Sequence, residues 1–394
     1  MHSIPLEEIL RRISALQAAM AVNGLDGALI VQRADLYYFT GTGQDAHLFV
    51  PADGDPLLMV RKNMQRASEE SPLDAVIPVA GFSELGKAVK SVRSPLRTLG
   101  MELDVLPVNN YKLYERLFGE ATIKDVSPLI KETRMIKSPY ELDLIKKAAQ
   151  MNDALFRHVR EILRAGMTEV EFSGQLEAFY RKLGHQGYVR ARSFNQEMFY
   201  GHIMSGSNLA VPSAAFSPTG GPGVHPSFPQ GPGLKTIKRN EPIQIDYVGV
   251  VGGYLIDQAR VFFLGEPPEK FVKIHQVALA IQEAMVSQSV PGTAAESLYE
   301  LAVEMAEQSG LREGFLGYPE PVSFVGHGIG LELDELPVLG KKSPHTLKEG
   351  MVLALEPKFI IPGEGLAGIE NSYAVTKTGM DKLTLFDDAI QVLP

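Results

Sequence analysis

Five residues in the second half of the chain have the types and spacing of a metal centre: Asp246, Asp257, His327, Glu356 and Glu370. In Glu241-Pro-Ile-Gln-Ile-Asp-Tyr-Val, the apolar Ile243, Ile245 and Tyr247 alternate with Gln244 and Asp246, the two-residue period of a strand. The chain turns at Val251-Gly252-Gly253 and returns as Tyr254-Leu-Ile-Asp-Gln-Ala-Arg, which predicts a hairpin. A loop of Val251-Gly252 would put Asp257 directly opposite Asp246, and a loop of Gly252-Gly253 would leave the two diagonal on one face. Either register converges two carboxylates, an arrangement that repels itself unless a cation neutralises it.

His327 sits among Gly326, Gly328 and Gly330, which would let the backbone approach whatever the imidazole holds. Glu356 ends the apolar run Met351-Val-Leu-Ala-Leu, and Glu370 lies inside a second strand-like run, Gly368-Ile-Glu-Asn-Ser-Tyr-Ala-Val. An acid in either place needs a partner if it is buried. The loop around Pro362-Gly-Glu-Gly365 is too long to fix the register of this second pair. Four carboxylates and one imidazole, in a chain with no cysteine, form a hard to borderline ligand set suited to Mn, Co, Fe or Zn. Two such ions about 3.5 to 4 Å apart would share carboxylates and lower the pKa of a water between them.

Several elements must hold these side chains in place. At 394 residues the chain is long enough for two domains. Residues 25–130 alternate short apolar runs (Gly27–Val31, His47–Val50, Pro56–Val60, Ala75–Val79) with helix-like stretches at 83–92 and 109–118, a small α/β pattern. Ser138-Pro139-Tyr-Glu141 reads as a helix start with a capping box, so a second domain begins close by. Capping boxes are also expected at Thr168 to Glu171 and at Thr293 to Glu296, the latter after a helix at 270–289. Two helices followed by a β-rich stretch thus occur twice, which predicts two similar halves.

Composition narrows the rest. Without cysteine there are no disulfides, thiolate sites or cysteine nucleophile. A net charge of -9 and the lack of any basic cluster argue against nucleic acid. No apolar run suggests a membrane span. The first twenty residues carry acids and arginines among helically spaced Ile4, Leu6, Ile9, Leu10, Ile13 and Leu16, a surface helix rather than a signal-peptide core, which fits a cytoplasmic protein.

The order Asp246, Asp257, His327 in Gly-His-Gly-Ile-Gly-Leu-Glu, Glu356 in Leu-Glu-Pro and Glu370 in Gly-Ile-Glu-Asn resembles the pita-bread metallopeptidases: Xaa-Pro aminopeptidases, prolidases and methionine aminopeptidases, with creatinase as a relative. The likeness covers the whole chain. It implies an α+β protein with a small α/β creatinase-type N-terminal domain at 1–132 and a duplicated pita-bread catalytic domain at 133–394. By the same resemblance Asp246 would chelate one of two divalent ions, Asp257 and Glu370 would bridge, His327 and Glu356 would bind the second, and Glu356 would take the proton from the bridging water. The implied activity is metal-dependent hydrolysis at the N-terminal residue of short peptides, Xaa-Pro bonds by default. A homodimer is implied too.

The chain departs from that pattern twice. Ser205-Gly-Ser-Asn-Leu-Ala-Val-Pro-Ser213 is similar to a family stretch that ends in a substrate-facing histidine, but holds Ser213 there. Seven residues after His327, where a second family histidine is expected, stands Asp334. His202, and His225 in the long loop 216–233, are the candidate substitutes, and Arg190 and Arg192 the candidate receivers of a substrate carboxylate. These departures keep open an enzyme of the same fold acting on a small non-peptide substrate, or a binding protein without catalysis.

Overall fold

The computed structural model describes residues 4–214 and 217–394, so Phe216, the first residue of the long loop, lies outside the described residues. The chain divides into two compact units, Met1–Arg134 and Met135–Pro394.

In the first unit the alternating pattern becomes β1 (Gly27–Ile30), β2 (Ala46–Pro51), β3 (Leu57–Val60), β4 (Val76–Pro78), β5 (Thr98–Met101) and β6 (Thr122–Asp125). These form one mixed sheet in the order β4-β3-β2-β1-β5-β6. The expected helical stretches are helices at Phe82–Val92 and Val108–Leu117. Leu29, Phe49, Met59, Leu99 and Met101 form its core with Leu85, Val89 and Tyr114 of those helices. The first helix, Leu6–Val22, buries Ile9, Ile13, Leu16 and Met20 and leaves Leu6 and Leu10 exposed, the amphipathic surface helix read from the sequence.

The second unit has two sheets, each backed by a helix pair. Its strands are β7 (Gly201–Ser205), β8 (Ile243–Val251), β9 (Tyr254–Leu264), β10 (Phe324–Gly328), β11 (Glu335–Gly340), β12 (Val352–Leu355), β13 (Lys358–Ile361), β14 (Gly365–Gly368), β15 (Asn371–Val375), β16 (Met380–Lys382) and β17 (Gln391–Leu393). One sheet runs β17-β9-β8-β7, the other β11-β10-β12-β15-β16, and β13 and β14 form a separate hairpin. Helices Pro139–Ile162 and Glu169–Lys182 pack Leu155, Phe156, Phe172 and Leu176 against Ile203, Ile245 and Tyr247 of the first sheet. Helices Glu269–Gln288 and Ala295–Gln308 pack Ile281, Met285, Leu298 and Ala302 against Val325, Leu353 and Tyr373 of the second. The repeated helix-helix-sheet unit is the duplication anticipated from the punctuation of the sequence.

Local chemistry explains where these elements start. Ser138 accepts from the Glu141 amide at 3.2 Å, while the Glu141 carboxylate accepts from the Ser138 amide at 3.0 Å, a complete capping box. Thr168 caps its helix by accepting from the Glu171 amide. The third expected box does not form. Ala294 is the N-cap, the Thr293 hydroxyl instead donates back to the Gln288 carbonyl at 2.9 Å, and Glu296 accepts from the Lys342 amide. Thr293 closes the preceding helix rather than opening the next.

Candidate metal centre

The β8–β9 hairpin takes the diagonal one of the two possible registers. Val251 pairs with Tyr254, leaving Gly252 and Gly253 as a two-residue loop with φ of +59° and +84°, the positive pair that a tight hairpin turn of this twist requires. Asp246 therefore faces Ala259, and Asp257 faces Val248, two positions along the same face. On the other side, β7 pairs with β8 so that His202 lies directly opposite Asp246. Three polar side chains thus leave one face of the first sheet.

The second sheet supplies the remainder. His327 pairs with Ala354 across β10 and β12. The β12 ladder ends at Leu355 because Pro357 has no amide hydrogen to continue it, and Glu356 is pinned at that break by its amide donating to the Val325 carbonyl at 2.9 Å. Glu370 precedes β15 and is bridged to Ala259 of β9, so the two sheets meet at the acid itself. The glycines beside His327 serve a purpose different from the one read in the sequence. A Cβ on Gly326 would come within 2.4 Å of the Ala354 carbonyl oxygen and one on Gly328 within 2.2 Å of the Leu336 oxygen, so they admit neighbouring strands rather than a ligand.

Asp246, Asp257, His327, Glu356 and Glu370 line one small cavity of about 50 Å³, together with His202, Gln196, Asp334 and Lys358. All four acids and the imidazole are buried. One atom each from Asp257, His327 and Glu370 lie within 4.8 Å of one another, a spacing that fits a single divalent ion. The His327 Nδ1 is 3.1 Å from the Gly328 carbonyl; as a donor there it leaves Nε2, 3.9 Å from a Glu356 oxygen, free to ligate.

Lys358 went unnoticed in the sequence. Its ammonium, buried with the acids, donates to Glu370 at 2.7 Å, Asp246 at 2.8 Å and Glu356 at 3.0 Å. The sequence held one signal for it, a lysine stranded between Pro357 and the apolar Phe359-Ile360-Ile361.

The electrostatics follow from this crowding. Burial, then the neighbouring Glu370 and Asp246, push the Asp257 carboxyl well above the ordinary carboxylate range. Burial raises Glu370 to about 8, the Lys358 ammonium offsetting only part of it. Burial also works to raise Asp246, but contact with Lys358 outweighs it and holds this carboxyl below its usual value. Burial alone would lower the Lys358 pKa, yet the acids around it drive it well above the ordinary lysine value. For His327, burial is outweighed by Asp334 and Glu356, so its pKa rises. His202 moves the other way, lowered by burial, and its Nε2 has no hydrogen-bond partner among the described residues.

The other candidates distribute unevenly. Asp334 lies on the cavity wall, 3.6 Å from His327 Nδ1, and accepts from the Gln196 amide at 3.0 Å. It also borders a more open cleft of about 170 Å³ shared with Phe324, Val338 and Ser193. Ser213 does not line the ligand cavity; it lines a larger one of about 440 Å³ with Leu209, Tyr318 and Phe324. His225 is exposed, hydrogen-bonded to Ser227, and lines a different cleft beside Phe199 and Phe228. Arg190 and Arg192 are outside the cavity wall, with Arg192 3.7 Å from Glu332 and the Arg190 carbonyl accepting from the Leu333 amide.

A site of buried acids and one imidazole between two similar sheet halves defines a metallohydrolase class. The chain belongs to the Metallopeptidase family M24, whose model matches residues 143–377, and carries the Creatinase/Prolidase N-terminal domain over residues 12–136. It is 27% identical over 378 residues to an Xaa-Pro dipeptidase of Pyrococcus furiosus, covering 95% of this chain and 97% of that protein. Among solved structures, an Xaa-Pro dipeptidase from Bacillus anthracis superposes with a TM-score of 0.84 at 26% identity, over 98% of this chain and 100% of that one. The prolidase from Pyrococcus horikoshii OT3 gives 0.80 at 25% identity, over 96% and 99%. The pita-bread α+β fold with its creatinase-type first domain, expected from the motifs, is the fold of this chain.

Proposed function

We propose that this protein is a divalent-metal-dependent hydrolase that cleaves the N-terminal residue from short peptides, with Xaa-Pro dipeptides as its first substrates to test. The observation that carries the reading is the convergence of Asp246, Asp257, His327, Glu356 and Glu370 on one buried cavity in a chain of a metallopeptidase family. A bound Mn, Co, Zn or Fe ion would supply a Lewis acid and a nucleophilic water at neutral pH. Glu356, reaching the cavity from the end of β12, is the proton acceptor beside that position. His202, neutral and with Nε2 unpartnered in the cavity wall, is placed to hydrogen-bond the substrate's developing oxyanion or leaving amine. Asp334, at the junction with the open cleft, faces the entering substrate and is suited to a free amino terminus. In this reading the protein is a cytoplasmic homodimer; among the described residues no helix is long and apolar enough to cross a membrane.

A second reading, an enzyme of this fold acting on a small non-peptide C–N compound, is favoured by the narrow space over the ligands, about 50 Å³. The experiment strips the purified protein with a chelator, restores Mn, Co, Zn or Fe singly, and assays Xaa-Pro dipeptides and longer Xaa-Pro peptides. Turnover that appears only with metal supports the first reading. Bound metal with no peptide turnover moves the assignment to the second, and failure to bind any metal ends both.

A further inference from the structure

We infer that the Lys358 ammonium takes the place of one of the two metal ions, so that this centre holds a single divalent ion between Asp257, His327 and Glu370. The inference rests on the metal-dependent reading above and specifies its ion count.

An ammonium has three hydrogens to donate, and at Lys358 all three have acceptors: one oxygen each of Glu370, Asp246 and Glu356, at 2.7, 2.8 and 3.0 Å. Two of those acids, Asp246 and Glu370, are ones that an ion on the Asp246 side would need, and the third, Glu356, belongs by the resemblance to the other ion. A divalent ion binds carboxylate oxygen at about 2.0 to 2.2 Å, so an ion held by these same three oxygens would fall where Nζ stands. Asp246 and Glu356 contribute nothing to the three-residue cluster of Asp257, His327 and Glu370, which keeps its mutual spacing of 4.8 Å or less. Glu370 belongs to both groups. Its Oε2 accepts from the lysine, and its carboxylate is the link between the fixed cation and the exchangeable one.

The backbone is shaped to keep the lysine there. Lys358 pairs with Gly368 across β13 and β14, and a Cβ on Gly368 would come within 2.7 Å of the Lys358 Cα and 2.9 Å of its Cγ. The absent side chain leaves room for the lysine stem. With the ammonium in place, one divalent ion leaves the four carboxylates one negative charge in excess and two leave one positive charge in excess, so charge admits one ion beside the lysine and the choice rests on the oxygens the lysine occupies. The lysine therefore stands in for a metal as a cation that cannot dissociate. It offers no open coordination position, so it neutralises and orients the acids without binding substrate oxygen.

The test counts ions. Wild-type protein and Lys358→Ala are stripped, reloaded with excess Mn²⁺, freed of loose metal, and measured by elemental analysis and by electron paramagnetic resonance. The expected result is one Mn per wild-type chain with the spectrum of an isolated ion, and two per Lys358→Ala chain with the spectrum of an exchange-coupled pair. Two coupled ions in the wild type would overturn the inference while leaving the metallohydrolase reading intact, and this arm needs no variant to fold. One ion in both proteins, with the variant melting as a folded protein, would also overturn it. No ion in the wild type would remove the functional reading itself.

Discussion

Replacing Arg260 by methionine should destabilise the second unit by about 3 to 5 kcal/mol, the range for breaking a buried, fully hydrogen-bonded charge. The side chain is completely buried in β9 and uses every donor. Nε donates to the Asp387 carbonyl, Nη1 to the Ala259 and Glu370 carbonyls, and Nη2 to the Phe386 carbonyl and to the side chains of Asn371 and Asp388. Burial lowers its pKa to about 10, still a cation at neutral pH. Summing six bonds would overshoot, because several acceptors have other partners. Asp388 also holds Lys382, and Asn371 Oδ1 also accepts from Thr384. The Glu370 carbonyl is the costly loss, since in this buried place it would keep only the long 3.4 Å bond from the Ala259 amide.

For a unit of this size each kcal/mol is worth about 2 to 4 °C, so Arg260→Met should melt about 6 to 20 °C below wild type in calorimetry. The comparison must be made on chelated protein, because bound metal raises the melting temperature by mass action. Arg260→Lys keeps charge but not the planar fork and should fall between the two. The same clamp sets the backbone of Glu370, so metal affinity should drop by about 10-fold or more, the effect of losing a group that orients a ligand. A shift of under about 3 °C would refute the energetic argument. A large shift with unchanged metal affinity would refute the positioning argument alone.

Three further outcomes are expected. Asp257→Asn removes an acid that burial and its neighbours Glu370 and Asp246 already disfavour; the metal-free variant should melt no lower than metal-free wild type while its metal affinity falls by about 100-fold or more, and a lower apo melting point would contradict this. His202→Gln should leave metal stoichiometry unchanged and lower kcat by about 100-fold; unchanged kcat would remove His202 from the reaction. His47, buried in the first unit against Tyr114 with its Nδ1 unpartnered among the described residues, has its pKa lowered from 6.5 to about 4 by burial and then by Arg61. The unfolded chain then holds the proton more tightly, so this contribution is complete above about pH 6.5, is lost as pH falls toward 4, and amounts to at most about 3 kcal/mol. His47→Gln should flatten the acid limb of the melting curve across that window, and an unchanged limb would place the titration elsewhere.

What could be read from the sequence tracked local periodicity and punctuation. The hairpin of Asp246 and Asp257 was fixed to within two registers by Gly252-Gly253, and the helix at Pro139 by its complete capping box. In the first unit the strands rich in apolar residues were visible, whereas β5 and β6 were not, because Thr98-Leu-Gly-Met and Thr122-Ile-Lys-Asp are too short and too polar to show a period. Thr293 misled for a related reason. A threonine three residues before a glutamate satisfies the cap pattern, but its hydroxyl found the Gln288 carbonyl first.

The site divides along the same line. The acids announced themselves because buried carboxylates need an explanation wherever they fall, while His202 and His225 looked alike until β7 paired with β8 and set one of them opposite Asp246. Lys358 was hidden by the argument that found the acids. Repulsion among clustered carboxylates demands a cation but does not name one, and a metal was the natural supplier only while no cation of the chain was known to reach them. Pro357 interrupts the strand between Glu356 and Lys358, so no period could put both on one face. Only the pairing of Lys358 with Gly368, which lets its ammonium meet Glu370 twelve residues along the chain, shows that part of the demanded charge is built into the polypeptide. The electrostatic rule that identifies the acids therefore constrains the sum of cations in this cavity, and the partition of that sum between lysine and metal is a property of the fold.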